Sequence, residues 1–155
     1  MIYQLINAQL DNPAGTIGIM ANMFQESKWN PAASNSIGAS GLVQWADTSK
    51  TANFATQMKD YCKTHGNKQA WPNNLSGQIE FLFYWVTTEN LRIEGMTKIR
   101  SVENTLQGAQ NAAVYFLDYM EIGKGNWGTK RDMLEQELRK GWARGVWALF
   151  FGDKV

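Results

Sequence analysis

The run Gln78–Thr88, QIEFLFYWVTT, restricts the possible folds more than any other stretch of the 155-residue chain. Apolar residues lie on nearly every side of it, so other elements must cover it all round. Ser76 and Glu80 near its start, with helical patterns on both flanks, favour a central buried helix over a strand. Its eleven residues fall short of a bilayer, which needs ~20 apolar residues. A chain of this length that has to wrap such a helix reads as a single domain over residues 1–155, mainly α.

The flanking patterns agree. Ile2, Leu5, Ile6 and Leu10 recur at helical spacing, after which Asn12 can cap and Pro13 can open a second helix running to about Ser27. In that helix Ile17, Met20, Ala21 and Phe24 form one stripe, and Ile19, Met23 and Glu26 a neighbouring one. Phe54, Ala55, Met58 and Cys62 mark a buried helical stripe within Thr51–His65, whereas Arg92, Glu94 and Lys98 read as decoration of a short exposed segment. Asn104–Met120 carries Ala109, Ala112, Ala113, Phe116 and Met120 on one face. A last helix over Thr129–Leu149 ends in an apolar run from Trp142 to Phe151, interleaved with Arg139, Lys140, Arg144 and Lys154. Closure of the core is the preferred reading of that end, ahead of contact with a membrane surface.

Charge and rare residues exclude several function classes. A formal net charge of +1 disfavours a nucleic-acid protein that relies on phosphate neutralisation. Cys62 and His65 are the only residues of their kinds, so neither a metal site nor thiol-histidine chemistry is expected, and no cofactor is implied. Met1-Ile2-Tyr3-Gln4 lacks the basic and long apolar regions of a signal peptide, so either export follows another route or the chain is one domain of a longer protein.

Chemistry is concentrated between Glu26 and Trp45, ESKWNPAASNSIGASGLVQW. A carboxylate stands at the end of an apolar helix, Asn30-Pro31 stops that helix, and closely spaced glycines then allow backbone that side chains would obstruct. Long regular structure is not expected there, only a short extended or hairpin piece around Gly41–Trp45. Apolar neighbours raise the pKa of a carboxyl and keep it able to donate a proton near neutral pH. Gln44 offers a donor and an acceptor, and Trp45 a flat face, suited to an N-acetyl sugar; Trp45 reads equally well as core. Asp47 can serve as the cap of the next helix.

These residues resemble the signature of the goose-type lysozyme and lytic transglycosylase superfamily, roughly E-S-x-x-N-P-x-A-x-S-x-x-G-A-x-G-L-M-Q. Glu26, Ser27, Asn30, Pro31, Ala33, Gly38, Ala39, Gly41, Leu42 and Gln44 match it, with Val43 in the methionine place. Asn22-Met23 and the ending Gly41-Leu42-Val43-Gln44-Trp45 look most like the phage tail lysozyme branch, and the resemblance extends from Ile17 to Gly123. It implies a lysozyme-like fold, peptidoglycan as substrate, action at the bacterial cell wall, and phage tail or secretion components as partners. It further implies Glu26 as catalytic acid, with Ser27, Ser40, Gln44 and Trp45 along the substrate cleft. Glu121 matches the glutamate of a turn that reaches the cleft in that branch, although Met120 and Ile122 depart from the pattern. Trp127, in the loop that follows, is a second candidate for stacking on sugar. The aspartate that goose-type lysozymes place near Ser36–Ala39 is missing here, which leaves Asp47, Asp118 and Glu121 as candidates for a second carboxylate. The alternative is transglycosylase chemistry, in which the substrate's own groups take that part.

Overall fold

The computed structural model describes residues 1–121 and 130–152, with the side chains of 130–132 left aside. Seven α-helices account for most of the described residues: α1 (Ile2–Leu10), α2 (Pro13–Ser27), α3 (Phe54–Cys62), α4 (Leu75–Trp85), α5 (Asn90–Arg100), α6 (Leu106–Phe116) and α7 (Lys130–Phe151). One 3-10 turn, Val86–Thr88, prolongs α4, and a π-helical turn, Leu117–Glu121, prolongs α6. Among the described residues there is no strand, only isolated antiparallel bridges Ser34–Ser40, Ser40–Trp45 and Asp47–Asn53 in the loop between α2 and α3. This is the mainly α, lysozyme-like fold that the resemblance implies, with its short hairpin-like piece in the loop that follows α2.

Local chemistry sets the helix ends. The Asn12 side chain accepts from Gly15 N–H with Pro13 in the first turn of α2, and Asn74 and Thr105 do the same for Gly77 and Gly108 at the starts of α4 and α6. Asp47 does act as a cap, accepting the Thr56 backbone N–H and hydroxyl in the first turn of α3. Those two bonds hold its carboxyl below its ordinary pKa.

The centre of the molecule is α2, which corrects the expectation that α4 holds that place. Every residue from Ala14 to Met23 is buried, whereas α4 leaves Tyr84 47% exposed. The reason is side-chain size. A Cβ built on Gly18 would stand 2.5 Å from the Ala112 Cβ, and Ala21, Ala113 and Ala143 meet in one cluster, so α6 and α7 approach α2 backbone to backbone. Small residues thus let one helix be covered on all sides, while the bulky rings of α4 fill the space between it, α3 and the loop.

Two further expectations change. Arg92 does not lie on an exposed segment but is 8% exposed on α5, with its guanidinium over the Trp85 ring and its Nε donating to the Trp85 carbonyl oxygen. The last helix closes the core only with its inner face, through Arg139, Ala143 and Val146, and leaves Leu134, Leu138, Trp142 and Leu149 exposed along its length. No helix among the described residues is long and apolar enough to cross a membrane. Cys62 is fully buried on α3, where burial pushes its thiol up to about 11, so it is an inert core residue rather than a nucleophile.

Candidate active site

Glu26 sits one residue before the end of α2, where the chain leaves the helix through Lys28 and Trp29, both with positive φ (52° and 62°). Its carboxyl is 26% exposed and accepts from Arg139 Nη2 at 2.9 Å. Arg139 comes from α7, is itself 3% exposed, and has every side-chain nitrogen engaged: Nε donates to Asn22 Oδ1 at 3.0 Å and Nη1 to Glu135 Oε2 at 2.8 Å. Asn22, wholly buried, in turn donates to the Gly18 and Ala113 carbonyl oxygens. The guanidinium is therefore held by two other partners, Asn22 and Glu135, where it meets Glu26.

A second carboxyl adjoins this cluster. Glu121 closes the π-helical turn, its Oε1 is enclosed, and that oxygen has no hydrogen-bond partner among the described residues. Burial drives its pKa well above the ordinary glutamate value, the charge of Glu26 drives it further, and Arg139 pulls it back in part. Burial likewise raises Glu26, against the pull of Arg139 and with a smaller push from Glu135. One arginine cannot neutralise Glu26, Glu121 and Glu135 together, so the proton affinities of Glu26 and Glu121 are both raised and depend on one another.

Glu121 also joins this cluster to a cavity of about 280 Å³ bordered by Gln44, Trp45, Thr48, Arg92 and Met120. The wall formed by the loop is rigidly built. Gln78, fully buried on α4, donates to the Pro31 carbonyl oxygen (2.8 Å) and accepts from Leu42 N–H (2.9 Å), tying both ends of the loop to one side chain. Gly41 has φ 86°, and a Cβ there would meet Gln78 Oε1 at 2.6 Å, so glycine is required for this approach. Gln44, also at positive φ (59°), donates through Nε2 to the Ala33 and Gly41 carbonyl oxygens and lines the cavity.

The residues that the sequence nominated thus fall into three groups. Glu26 and Glu121 come together, and Gln44 and Trp45 border the cavity that Glu121 lines. Trp45 does so from inside the core, 3% exposed and edge-on to Phe81 and Trp85, so core packing is its place. The Ser27 hydroxyl donates to the Met23 carbonyl oxygen, and Ser40, 2% exposed, exchanges backbone hydrogen bonds with Trp45; both are built into the scaffold. Trp127 lies outside the described residues. Of the other candidate carboxylates, Asp47 caps α3 and Asp118 receives the Gln136 amide, so neither is brought to Glu26 by these contacts. Arg139 is the residue that sequence reasoning missed. Its spacing from Ala143 and Val146, i+4 and i+7, places it on the inward stripe of α7 and was the available signal.

A helical chain with a partly exposed carboxyl at the end of its central helix, linked through Glu121 to a cavity walled by a glycine-bearing loop, is of lysozyme-like class. The chain belongs to the phage tail lysozyme family, whose family model matches residues 2–150. That match takes in α1 and α7, beyond the span of the resemblance read from the signature. Searches of the curated proteins and of the solved structures found no match. Membership implies a lysozyme-like, peptidoglycan-degrading function exerted at the cell wall.

Proposed function

We propose that the protein is a muramidase that cleaves the β-1,4 bond between N-acetylmuramic acid and N-acetylglucosamine, with Glu26 as general acid. The observation that supports this reading is the setting of Glu26: 26% exposed, with its proton affinity raised by burial and its direction fixed by Arg139. A carboxyl so placed holds its proton more tightly than an ordinary glutamate and is suited to deliver it to a leaving glycosidic oxygen. As the bond to that oxygen breaks, positive charge develops at the sugar carbon, and Glu26, now a carboxylate, is the negative group beside it. Gln44 Oε1 is the acceptor available to a sugar amide, and Glu121 is the second carboxyl at the site. Phage tail components or other cell-wall machinery would deliver the domain to peptidoglycan.

Lytic transglycosylase chemistry is the second reading, and Glu121 favours it. Glu121 is an enclosed carboxyl close to Glu26, and burial makes it hold its proton more tightly than an ordinary glutamate, so it is poorly suited to activating water as a base. In that reading the sugar's own C6-hydroxyl attacks by proximity, Glu26 takes the hydroxyl proton, and an anhydromuramyl end forms. Mass analysis of the fragments released from purified peptidoglycan decides between the two. Hydrated reducing ends indicate the hydrolase and anhydromuramyl ends the transglycosylase. Absence of fragments would overturn both in favour of a wall-binding module.

A further inference from the structure

We propose that Arg139 is the positioning residue of this site: one guanidinium shared between Glu26 and Glu135 fixes where the Glu26 carboxyl points and how firmly it holds its proton. This rests on the reading of Glu26 as the acid. The geometry has two parts. Arg139 is oriented by a neutral, buried partner, Asn22, which is locked to the backbone of α2 and α6 through Gly18 and Ala113. Its remaining nitrogens are divided, Nη2 to Glu26 at 2.9 Å and Nη1 to Glu135 at 2.8 Å. Glu135 is 38% exposed against 26% for Glu26, so it is the more readily solvated of the two rivals for the same cation.

Each group around Glu26 therefore has a defined sign. Arg139, from α7, favours the carboxylate form; Glu135, one turn earlier on the same helix, opposes it both by its own charge and by drawing on Arg139. Glu121, from the π-helical turn, is the remaining charged neighbour among the described residues and also opposes it when ionised. A lysine cannot replace this arginine, because an ammonium on one flexible stem does not span three acceptors held in different directions.

The test is the titration of the Glu26 carboxyl, followed by carbon NMR in the protein labelled at its glutamate carboxyls, beside the pH profile of kcat/KM on peptidoglycan. In Arg139→Gln the Glu26 midpoint and the alkaline limb of the profile should rise by about one pH unit or more, while kcat falls about tenfold or more as the carboxyl loses its direction. In Glu135→Gln both should move the other way, by about half a unit. Arg139→Lys should restore the midpoint but not kcat. Midpoints that stay put in both neutral variants, or that move in the same direction, would overturn the proposal, as would full recovery of kcat by lysine. Should Arg139→Gln fail to fold, Glu135→Gln and Arg139→Lys still carry the test. Failure of the unmodified protein to release fragments would count against the glycosidase reading alone, since the carboxyl titration decides the role of Arg139 without turnover.

Discussion

The loop from Asn30 to Trp45 and the corner holding Glu26 and Glu121 lie beside each other and are built on opposite rules. In the loop, the side-chain amides are matched to the backbone, with only the Trp45 Nε1 left without a partner among the described residues: Gln78 serves Pro31 and Leu42, Gln44 serves Ala33 and Gly41, and Asn35 Oδ1 accepts from Ile37 and Ala39. In the corner, three carboxyls face one arginine, and Glu121 Oε1 is enclosed without a partner among the described residues. A satisfied network holds a shape, whereas an unsatisfied one stores a preference for a proton. The contrast separates the part of the molecule that positions from the part that reacts.

Four substitutions break or sharpen that contrast. Glu26→Gln removes the acidic proton and keeps the shape, so release of peptidoglycan fragments should fall by about 10²–10⁴-fold while the circular dichroism melt is preserved. Gln78→Ala does the reverse. It strands the buried Leu42 N–H, while the Pro31 carbonyl oxygen keeps the Trp71 Nε1 donor, and should cost about 1–3 kcal/mol, read as a lower midpoint in urea with the Glu26–Arg139 pair left in place. Glu121→Gln should stabilise the protein at neutral pH. Because the raised carboxyls bind protons more tightly in the folded state, stability is greatest below the ordinary glutamate value, about 4.3, and declines as pH rises through the raised midpoints. The amide removes that decline, so its Tm should exceed the unmodified protein's at pH 7 and converge with it near pH 4. Asp47→Ala, at an exposed cap, should cost only about 0.5 kcal/mol. Its sign with pH is opposite: the lowered carboxyl stabilises above its ordinary value and loses that contribution as acid protonates it, so the deficit of the alanine variant should vanish in acid.

Much of the fold was legible because local signals acted alone. Asn12-Pro13 opened α2 where capping chemistry requires, and the Phe54, Ala55, Met58, Cys62 stripe marked α3. The motif around Glu26 was legible because glycines and the Asn30-Pro31 break have local causes. What escaped was set by distant partners. Arg139 pairs with a residue 113 positions away, and although its spacing from Ala143 and Val146 marks the inward stripe of α7, no local pattern names Glu26 as its partner. Arg92 was misread for the same reason, since the Trp85 ring and carbonyl oxygen that hold it belong to the preceding helix. The centrality of α2 escaped because hydrophobicity was weighed and smallness was not: Gly18 and Ala21 contribute closeness rather than greasiness.

The π-helical turn Leu117–Glu121 makes the site a matter of counting as well as of chemistry. An ordinary helix advances about 100° per residue, and a π turn holds one residue more than the same turn of α-helix. Glu121 therefore emerges about a quarter of a circle away from where an unbroken α6 would send it. Loss of a single residue between Leu117 and Met120 would turn the carboxyl away from Glu26 without altering any side chain in the pair. Along this short arc, the number of residues places the carboxyl as surely as their identity does.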